Sequence, residues 1–249
     1  MNYKAETAKE IAKAGLKINA IKLSPNKPFT WASGFQMPIY NDNRMFLGNA
    51  KHRRLIADGF NHLMDSAYSE NRNIYFSIIA GTSTAGISPA TTLADTYSIE
   101  RPLIYVRDKP KDHGLRNQIE GIDAEKDLGG KRVLLIEDLI STGGSSVNAV
   151  QAIRDANGNC EHCFSIFNYG FKEAEEMFKG KRPYDKEKTK FLKTPCQVKS
   201  LLTYDKLLEV AKEIGYINTA QEKMLAEWRE DPFNWGEKHG FPKIEKTKQ

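Results

Sequence analysis

Apolar and polar positions along this chain of 249 residues change their spacing at about residue 70. Before that point, residues 3–14 and 51–68 place apolar side chains at helical intervals, and Gly15 is a suitable left-handed end for the first helix. Residues 19–42 form short extended pieces broken by prolines and a glycine. Beyond residue 70, solidly apolar runs alternate with helical patterns. The spacing therefore predicts helices first and alternating strands and helices later.

Apolar runs without alternation are typical of strands buried on both faces of a parallel sheet. The spacing predicts strands at 73–80, 102–106, 132–136 and 163–167, and helices at 87–97, 145–156, 172–178, 204–214 and 219–228. Thr203 is a candidate cap for the first tail helix, Thr219 with Glu222 is a candidate capping box for the second, and the residues after Pro242 should fray. The fold class is α/β, a mostly parallel twisted central sheet flanked by helices. We expect one domain over residues 1–249, with a hood at about 1–45, a core sheet at about 70–170 and C-terminal helices at about 200–232.

Composition narrows the function. The 37 basic and 32 acidic residues leave a net charge of +5, which suits small polyanionic substrates and is too small to indicate a nucleic-acid partner. Apolar runs are far shorter than the roughly 18 residues of a membrane span, and the N-terminus lacks the apolar core of a signal peptide, so we expect a cytoplasmic protein. Cys160 and Cys163 lie three apart in a strand pattern, on opposite faces, so they should not share a metal.

The stretch from Val133 to Ser146 carries the most chemical information. Its apolar strand ends in two acids, Glu137 and Asp138, and a loop rich in hydroxyls and glycines leads into a helix. Such a loop presents backbone N–H groups to an anion, and the helix N-terminus adds its positive dipole end. Two carboxylates beside a phosphate site would repel the phosphate unless they bind neutral hydroxyl groups of the same substrate a short distance away. A ribose 5-phosphate satisfies both demands, and neither a Walker A loop nor a dinucleotide fingerprint is present.

This stretch resembles the phosphoribosyl pyrophosphate motif of the type I phosphoribosyltransferases. Further segments, covering roughly residues 10 to 232, make the chain similar to the orotate phosphoribosyltransferases. They are an N-terminal signature at 29–34 and 37–44, a pyrophosphate-side loop at 80–87, a mobile catalytic loop at 105–114 with 118–121, and segments at 165–170 and 202–205. Departures from the best-known bacterial form, at Ala32, Ala85, Asp108 and Tyr169, resemble a Bacillus-like branch of the family.

The resemblance implies transfer of a phosphoribosyl group from phosphoribosyl pyrophosphate to orotate, with Mg²⁺ held by substrate oxygens and water and with no metal ligands from the protein. It also implies a homodimer with shared active sites, because Lys111 and His113 would reach the neighbouring subunit. These two residues are the catalytic candidates. The candidates for phosphoribosyl pyrophosphate are Arg107, Lys111, His113, Glu137, Asp138, Leu139, Ile140, Ser141, Thr142, Gly143, Gly144 and Ser145. Ser141 and Tyr40 are the candidates for orotate.

Three alternatives compete with this interpretation. A purine phosphoribosyltransferase would share the loop from Glu137 to Ser145, but the loop around His113 and the signature at 29–34 disfavour it. A non-catalytic regulator would sense phosphoribosyl pyrophosphate and bind nucleic acid, for which the net charge is small. A hydrolase elbow at Gly81–Ala85 lacks the final glycine of its motif.

Overall fold

The computed structural model describes residues 3–96, 101–109, 118–123, 127–180, 192 and 194–245. The strands are β1 (Ile21–Leu23), β2 (Phe29–Thr30), β3 (Gln36–Met37), β4 (Ile39–Asn41), β5 (Ile78–Thr82), β6 (Leu103–Val106), β7 (Ile119–Glu120), β8 (Arg132–Ile140), β9 (Asn159–Asn168) and β10 (Gln197–Thr203). The helices are α1 (Tyr3–Lys17), α2 (Ala50–Glu70), α3 (Ile87–Thr96), α4 (Gly144–Asp155), α5 (Lys172–Lys179), α6 (Tyr204–Glu213), α7 (Thr219–Glu230) and α8 (Trp235–Lys238), with a 3-10 helix at Asn43–Gly48.

Six strands form the central sheet in the order β10-β9-β8-β5-β6-β7, and each pairing is parallel except that of β6 with β7. The sheet separates two apolar cores, and β8 contributes alternately to both. Leu134 and Ile136 join the core that includes α1, α2 and α3, whereas Val133 and Leu135 join the core of α4 and α5. The predicted fold class is confirmed. No helix in the described ranges is long and apolar enough to cross a bilayer.

Gly15 does not end the first helix, contrary to the sequence prediction. Helix α1 continues to Lys17, and the chain turns at Asn19, which adopts a left-handed conformation with φ of +59°. Gly15 instead allows close packing, because a Cβ there would lie 2.9 Å from Cδ1 of Ile21. The glycine serves tertiary contact, which helical spacing alone does not reveal.

Three strands of the central sheet differ clearly in length from the sequence prediction. The predicted strand at 73–80 begins only at Ile78. Phe76 lies before the strand and is buried all the same. Strand β8 runs four residues past its predicted end, so Glu137 and Asp138 are strand residues.

Strand β9 begins at Asn159 and contains both cysteines of the C-x-x-C pair, each a buried free thiol. The expectation that they lie on opposite faces is wrong: both belong to the core of α4 and α5, because the ladder with β8 shifts register between Arg132 and Leu134.

Strands β7 and β10 were not predicted. Strand β10 pairs in parallel with β9 at the sheet edge, and only Ser200, Leu201 and Leu202 of its seven residues are buried. An edge strand with polar positions lacks the solid apolar run that marks the central strands. The charged stretch at 180–190 that precedes it falls almost wholly outside the described residues.

Thr203 caps α6 as predicted, accepting a hydrogen bond from the backbone N–H of Lys206. The capping box of α7 is one residue earlier than expected. Asn218 accepts from the N–H of Gln221 at 2.9 Å, and the Gln221 side chain accepts from the N–H of Asn218 at 3.0 Å. Both candidate pairs fit the same spacing rule, and asparagine is the stronger helix cap.

An aromatic cluster fixes the N-terminal segment to the rest of the molecule. Trp228 of α7 packs with its ring centroid 6.2 Å from Trp31, 5.4 Å from Tyr169 and 5.3 Å from Tyr204. The chain end joins the same region, because the N–H of Ile244 donates to the carbonyl of Gly34 at 3.0 Å. The backbone of Ile244 is thus held against Gly34, although the residues after Pro242 were expected to fray. Short strands that bury little surface alone are held here by aromatic packing.

Replacing Trp228 with alanine should lower the free energy of unfolding by about 3–5 kcal/mol, because the fully buried ring leaves a cavity that the cluster cannot fill. Urea unfolding followed by circular dichroism measures the change. Tyr68→Ala, at a ring that is 53% exposed, is the matched control and should cost little. Equal effects of the two substitutions would contradict the anchoring role of the cluster.

Candidate active site

Polar side chains meet where β5, β6 and β8 end at one edge of the sheet. Because parallel strands place their carboxyl ends together, this edge is the usual location of ligand sites in such folds. A pocket of about 330 Å³ lies there. It is lined by Thr82, Ser83, Thr84, Ala85, Arg107, Asp108, Gln118, Glu137, Asp138, Leu139, Ser145, Asn148 and Ala149.

Glu137 lies at the base of this pocket with only 5% of its surface exposed. The Thr82 hydroxyl donates to Oε1 at 2.6 Å, and the Ser146 hydroxyl donates to Oε2 at 2.8 Å. The backbone N–H of Asp138 also donates to Oε1, at 3.0 Å. Both carboxylate oxygens are therefore hydrogen-bonded within the protein.

Burial makes both neighbouring acids costly to ionise, whereas their effects on each other are opposite: Asp138 raises the pKa of Glu137, and a hydrogen bond from Glu137 lowers the pKa of Asp138. Burial raises the pKa of Glu137 well above its usual range, and the charge of Asp138 raises it further, while the hydrogen bonds from Thr82 and Ser146 oppose the rise. Burial also raises the pKa of Asp138, against hydrogen bonds and the charge of Arg44. The pair retains protons at a pH where ordinary carboxyl groups have lost them.

A residue far away in sequence supports Asp138 from the N-terminal segment. Nδ2 of Asn43 donates to the backbone carbonyl of Asp138 at 2.7 Å, and Asn43 is almost fully buried. Beside it, the Arg44 guanidinium binds both carboxylate oxygens of Asp42 and holds the pKa of that carboxyl below its usual value. The N-terminal segment thus contacts the strand end that carries the acid pair.

The loop after β8 leads into α4 as the sequence predicts. Gly143 has φ of +86° and precedes the first helical residue, Gly144. A Cβ at Gly143 would lie 3.2 Å from the backbone and side chain of Ala174, so the loop packs closely on α5. The first-turn N–H groups of α4 and its positive dipole end lie beside this loop, an arrangement that favours an anion.

A second loop, residues 82–86, closes the opposite side of the pocket. The N–H of Gly86 donates to the carbonyl of Thr82 at 3.0 Å, and the peptide bond between Ser83 and Thr84 is cis. A Cβ at Gly86 would collide with Oγ1 of Thr82 and with the carbonyl oxygen of Ile136. Glycine is required here because the loop lies directly on β5 and β8.

Arg107 enters the pocket from the end of β6. Its guanidinium forms an ion pair with Glu120 at 3.4 Å. Its backbone exchanges hydrogen bonds with Gln118, at 2.9 Å from the Arg107 N–H and 2.8 Å to the Arg107 carbonyl. The catalytic candidates Lys111 and His113 lie outside the described residues.

The structure brings together five of the predicted site residues: Arg107, Glu137, Asp138, Leu139 and Ser145 all line the pocket. Ile140, Ser141, Thr142, Gly143 and Gly144 continue from Leu139 into α4 without lining this cavity. Tyr40 also lies outside its lining; the ring is 39% exposed and packs near Phe29 and Lys22. Tyr169, one of the departures from the best-known bacterial form, is buried among aromatic rings.

Several residues at the pocket were not named as site candidates, although all of them except Asn148 lie in segments that the sequence analysis singled out. Thr82, Gln118 and Asn148 line the cavity. Ser146 donates a hydrogen bond to Glu137, and Asn43, which is 95 positions away in the sequence, donates one to the carbonyl of Asp138. Thr82 and Ser146 carried a usable signal, because one ends a buried strand and the other follows the anion loop. Asn43 lies in the N-terminal signature at 37–44, but only the folded chain shows that it contacts Asp138.

Among the described residues, no group of three or more His, Cys, Asp or Glu side chains is placed to hold a metal ion. The lining near the acids instead offers hydroxyl and amide groups, which can hydrogen-bond the water shell of a Mg²⁺ ion.

Comparison with known proteins agrees with this geometry. Residues 49–198 match the family model of the phosphoribosyl transferase domain, so the chain is a phosphoribosyltransferase by class. The chain is 42% identical to orotate phosphoribosyltransferase of Staphylococcus saprophyticus, over 90% of this chain and 98% of that one. It is 40% identical to the orotate phosphoribosyltransferase of Cytophaga hutchinsonii, over 94% and 99% of the two chains. The chain belongs to the orotate phosphoribosyltransferase family.

A solved structure supports the fold independently. Orotate phosphoribosyltransferase of Francisella tularensis superposes with a TM-score of 0.62 at 17% identity, over 88% of this chain and 96% of that one. The predicted type I phosphoribosyltransferase fold is thus confirmed.

The buried acid pair should make folding stability fall as pH rises. A carboxyl whose pKa is raised in the folded state binds more protons there than in the unfolded chain, so stability is full at low pH and is lost through the window between the ordinary value and the raised one. Urea unfolding from about pH 5 to about pH 8 should show this decline. In Glu137→Gln, this fall in the free energy of unfolding should be smaller by at least about 1 kcal/mol, since each pKa unit corresponds to about 1.4 kcal/mol.

Glu10→Gln, at an exposed glutamate of α1, is the control and should decline as the unmodified protein does. An unchanged decline in Glu137→Gln would show that burial of this carboxyl is not what couples stability to pH.

Proposed function

We propose that this chain transfers the 5-phosphoribosyl group from phosphoribosyl pyrophosphate to orotate, giving orotidine 5′-monophosphate and pyrophosphate. The observation that carries the proposal is the pocket in which a buried acid pair adjoins the N-terminus of α4. The relatives that align with nearly the whole chain are orotate phosphoribosyltransferases, which supports the choice of base.

The phosphate end of the substrate would bind at the loop before α4. Backbone N–H groups freed by Gly143 and Gly144, with the hydroxyls of Ser141, Thr142 and Ser145, would hydrogen-bond the 5-phosphate. The positive end of the helix dipole would complement its charge. Leu139 and Ile140 would provide the backbone that joins this loop to the acids.

The ribose would lie over the acid pair, with its hydroxyls donating to the carboxylates of Glu137 and Asp138. Positive charge develops on the sugar as the bond to pyrophosphate breaks. Anionic groups fixed beneath the ring then stabilise the transition state more than the ground state. Binding in one orientation also removes the entropy cost of bringing sugar and base together.

The departing pyrophosphate would lie between the loop at 82–86 and Arg107. Arg107 lines the pocket, and its guanidinium forms an ion pair with Glu120 at 3.4 Å. Lys111 and His113 would complete the positive set from the neighbouring subunit of a homodimer. Mg²⁺ would accompany the substrate, held by phosphate and ribose oxygens and by water, and would neutralise charge on the leaving group.

Orotate would be contacted by Ser141 and flanked by Tyr40. Tyr169 is turned into the aromatic cluster and offers no cation to the orotate carboxylate. The orotate carboxylate would therefore be bound by groups in the N-terminal segment and in the loop after β8.

The direct test follows the orotate ultraviolet band in the presence of phosphoribosyl pyrophosphate and Mg²⁺, with hypoxanthine and adenine as parallel acceptors. Loss of absorbance with orotate alone is the expected result. Folded protein that binds phosphoribosyl pyrophosphate but consumes none of the three bases would refute the enzyme assignment and favour a sensing role.

Asp138→Asn should raise the KM for phosphoribosyl pyrophosphate at least about tenfold, because the amide replaces a charged acceptor for a ribose hydroxyl. Steady-state kinetics with orotate saturating measures the change. Asp155→Asn, at the last residue of α4, is the control and should retain the original KM. Turnover and KM unaltered in Asp138→Asn would exclude the hydroxyl contact.

The shared site can be tested by mixing subunits. Lys111→Ala alone should reduce turnover about a hundredfold, the usual cost of removing one well-placed transition-state donor. A mixture with a Glu137→Gln, Asp138→Asn variant should regain activity, because hybrid dimers contain one intact site. No regain, despite proven subunit exchange, would exclude a site built from two subunits.

A further inference from the structure

The carboxylate of Glu137 is held by two hydroxyl groups that have no role in the reaction described so far. Thr82 donates to one oxygen and Ser146 to the other, at 2.6 Å and 2.8 Å. Both donors are themselves buried, at 6% and 2% exposure. The carbonyl oxygen of Ile136 is a second acceptor for the Thr82 hydroxyl, but at 3.5 Å it is much farther away than the carboxylate oxygen. A hydroxyl that donates to a carboxylate oxygen at such a short distance forms a strong hydrogen bond.

These donors come from the two structural elements that enclose the pocket. Thr82 is the last residue of β5 and begins the loop at 82–86, whereas Ser146 lies in the first turn of α4 after the anion loop. Gly86 is shaped to this contact, because any Cβ there would collide with the Thr82 hydroxyl oxygen. Glu137 therefore links both loops through its side chain.

No basic side chain among the described residues pairs with Glu137, so the hydroxyls of Thr82 and Ser146 are its main side-chain donors. It accepts hydrogen bonds from Thr82, Ser146 and the N–H of Asp138, and its carboxyl group also hydrogen-bonds the side chain of Asp138. Asp138 adds a like charge, and the thiol of Cys163 on β9 lies near it. Further titratable side chains of the pocket are Arg107 and Asp108, and none of the described bases pairs with Glu137.

We propose that Thr82 and Ser146 are positioning residues for phosphoribosyl pyrophosphate: their hydroxyls fix the orientation of the Glu137 carboxyl group, so that it can accept a hydrogen bond from a ribose hydroxyl. The inference rests on the proposed function, since it assigns how the acid pair is prepared for the sugar. A carboxyl group with fixed orientation binds the sugar without reorganising, which is the usual benefit of supporting groups behind a binding residue.

The hydroxyls also determine the pH at which this acceptor is available. Each donated hydrogen bond favours the ionised form and lowers the pKa of Glu137 against the effect of burial. Removal of one donor raises that pKa further. The loss of phosphoribosyl pyrophosphate affinity on acidification should then begin at a higher pH than in the unmodified protein.

The test measures the Kd for phosphoribosyl pyrophosphate with Mg²⁺ directly, by calorimetry across a pH series, in full-length protein. Thr82→Val keeps the side-chain shape without the hydroxyl, Thr82→Ser keeps the hydroxyl, and Ser146→Ala removes the second donor. Ser200→Ala is the matched control, because its buried hydroxyl bonds Ser165 at 2.7 Å on another part of the sheet. Steady-state kinetics with orotate provides the separate kcat and KM values.

Thr82→Val and Ser146→Ala should each raise the Kd about tenfold near neutral pH, with the acid limb displaced to higher pH and kcat changed much less than KM. Thr82→Ser and Ser200→Ala should match the unmodified protein. Affinity in Thr82→Val and Ser146→Ala equal to that of the unmodified protein would overturn the proposal. So would a Thr82→Ser variant as weak as Thr82→Val, since shape rather than the hydroxyl would then be responsible.

The binding measurement separates this proposal from the assignment of orotate as the base. If the unmodified protein binds phosphoribosyl pyrophosphate but does not consume orotate, the proposed reaction fails while the Kd series still decides the role of the two hydroxyls.

Discussion

The burial of a carboxylate at the end of β8 is the constraint on which the site depends. Glu137 is removed from water and lies beside a second acid, which is a costly arrangement unless its oxygens are hydrogen-bonded. Thr82 and Ser146 meet that need from opposite sides, and so β5, β8 and α4 are joined at one point. The loop at 82–86 and the loop before α4, which enclose the pocket, are both held at Glu137 through Thr82 and Ser146.

The N-terminal segment depends on the same strand end. Asn43 binds the carbonyl of Asp138, while Trp31 packs into the aromatic cluster that includes Tyr169, the residue after β9. The N–H of Ile244 adds a backbone hydrogen bond to the carbonyl of Gly34. These contacts fix short strands that bury little surface themselves to the edge of the sheet where the pocket lies.

The central strands and the anion loop could be predicted from the sequence because their signals are local. Solid apolar runs mark β5, β6, β8 and β9, and the acids followed by hydroxyls and glycines mark the loop before α4. Edge strand β10 escaped because a half-exposed strand lacks such a run, and Gly15 was misassigned because its packing against Ile21 is tertiary. The partners of Glu137 and Asp138 escaped for the same reason: Thr82 and Asn43 are brought to the acids only by strand pairing and by the N-terminal segment.

Titration of the Glu137 carboxyl carbon by ¹³C nuclear magnetic resonance, assigned with Glu137→Gln, tests this account most directly. The account predicts an inflection well above the ordinary glutamate value of about 4.3, since burial and the neighbouring acid both favour the protonated form. It also predicts a still higher inflection in Thr82→Val. A carboxyl that titrates at the ordinary value in both proteins would contradict the account, because Glu137 would then be solvated and free of the hydroxyls that join the two loops.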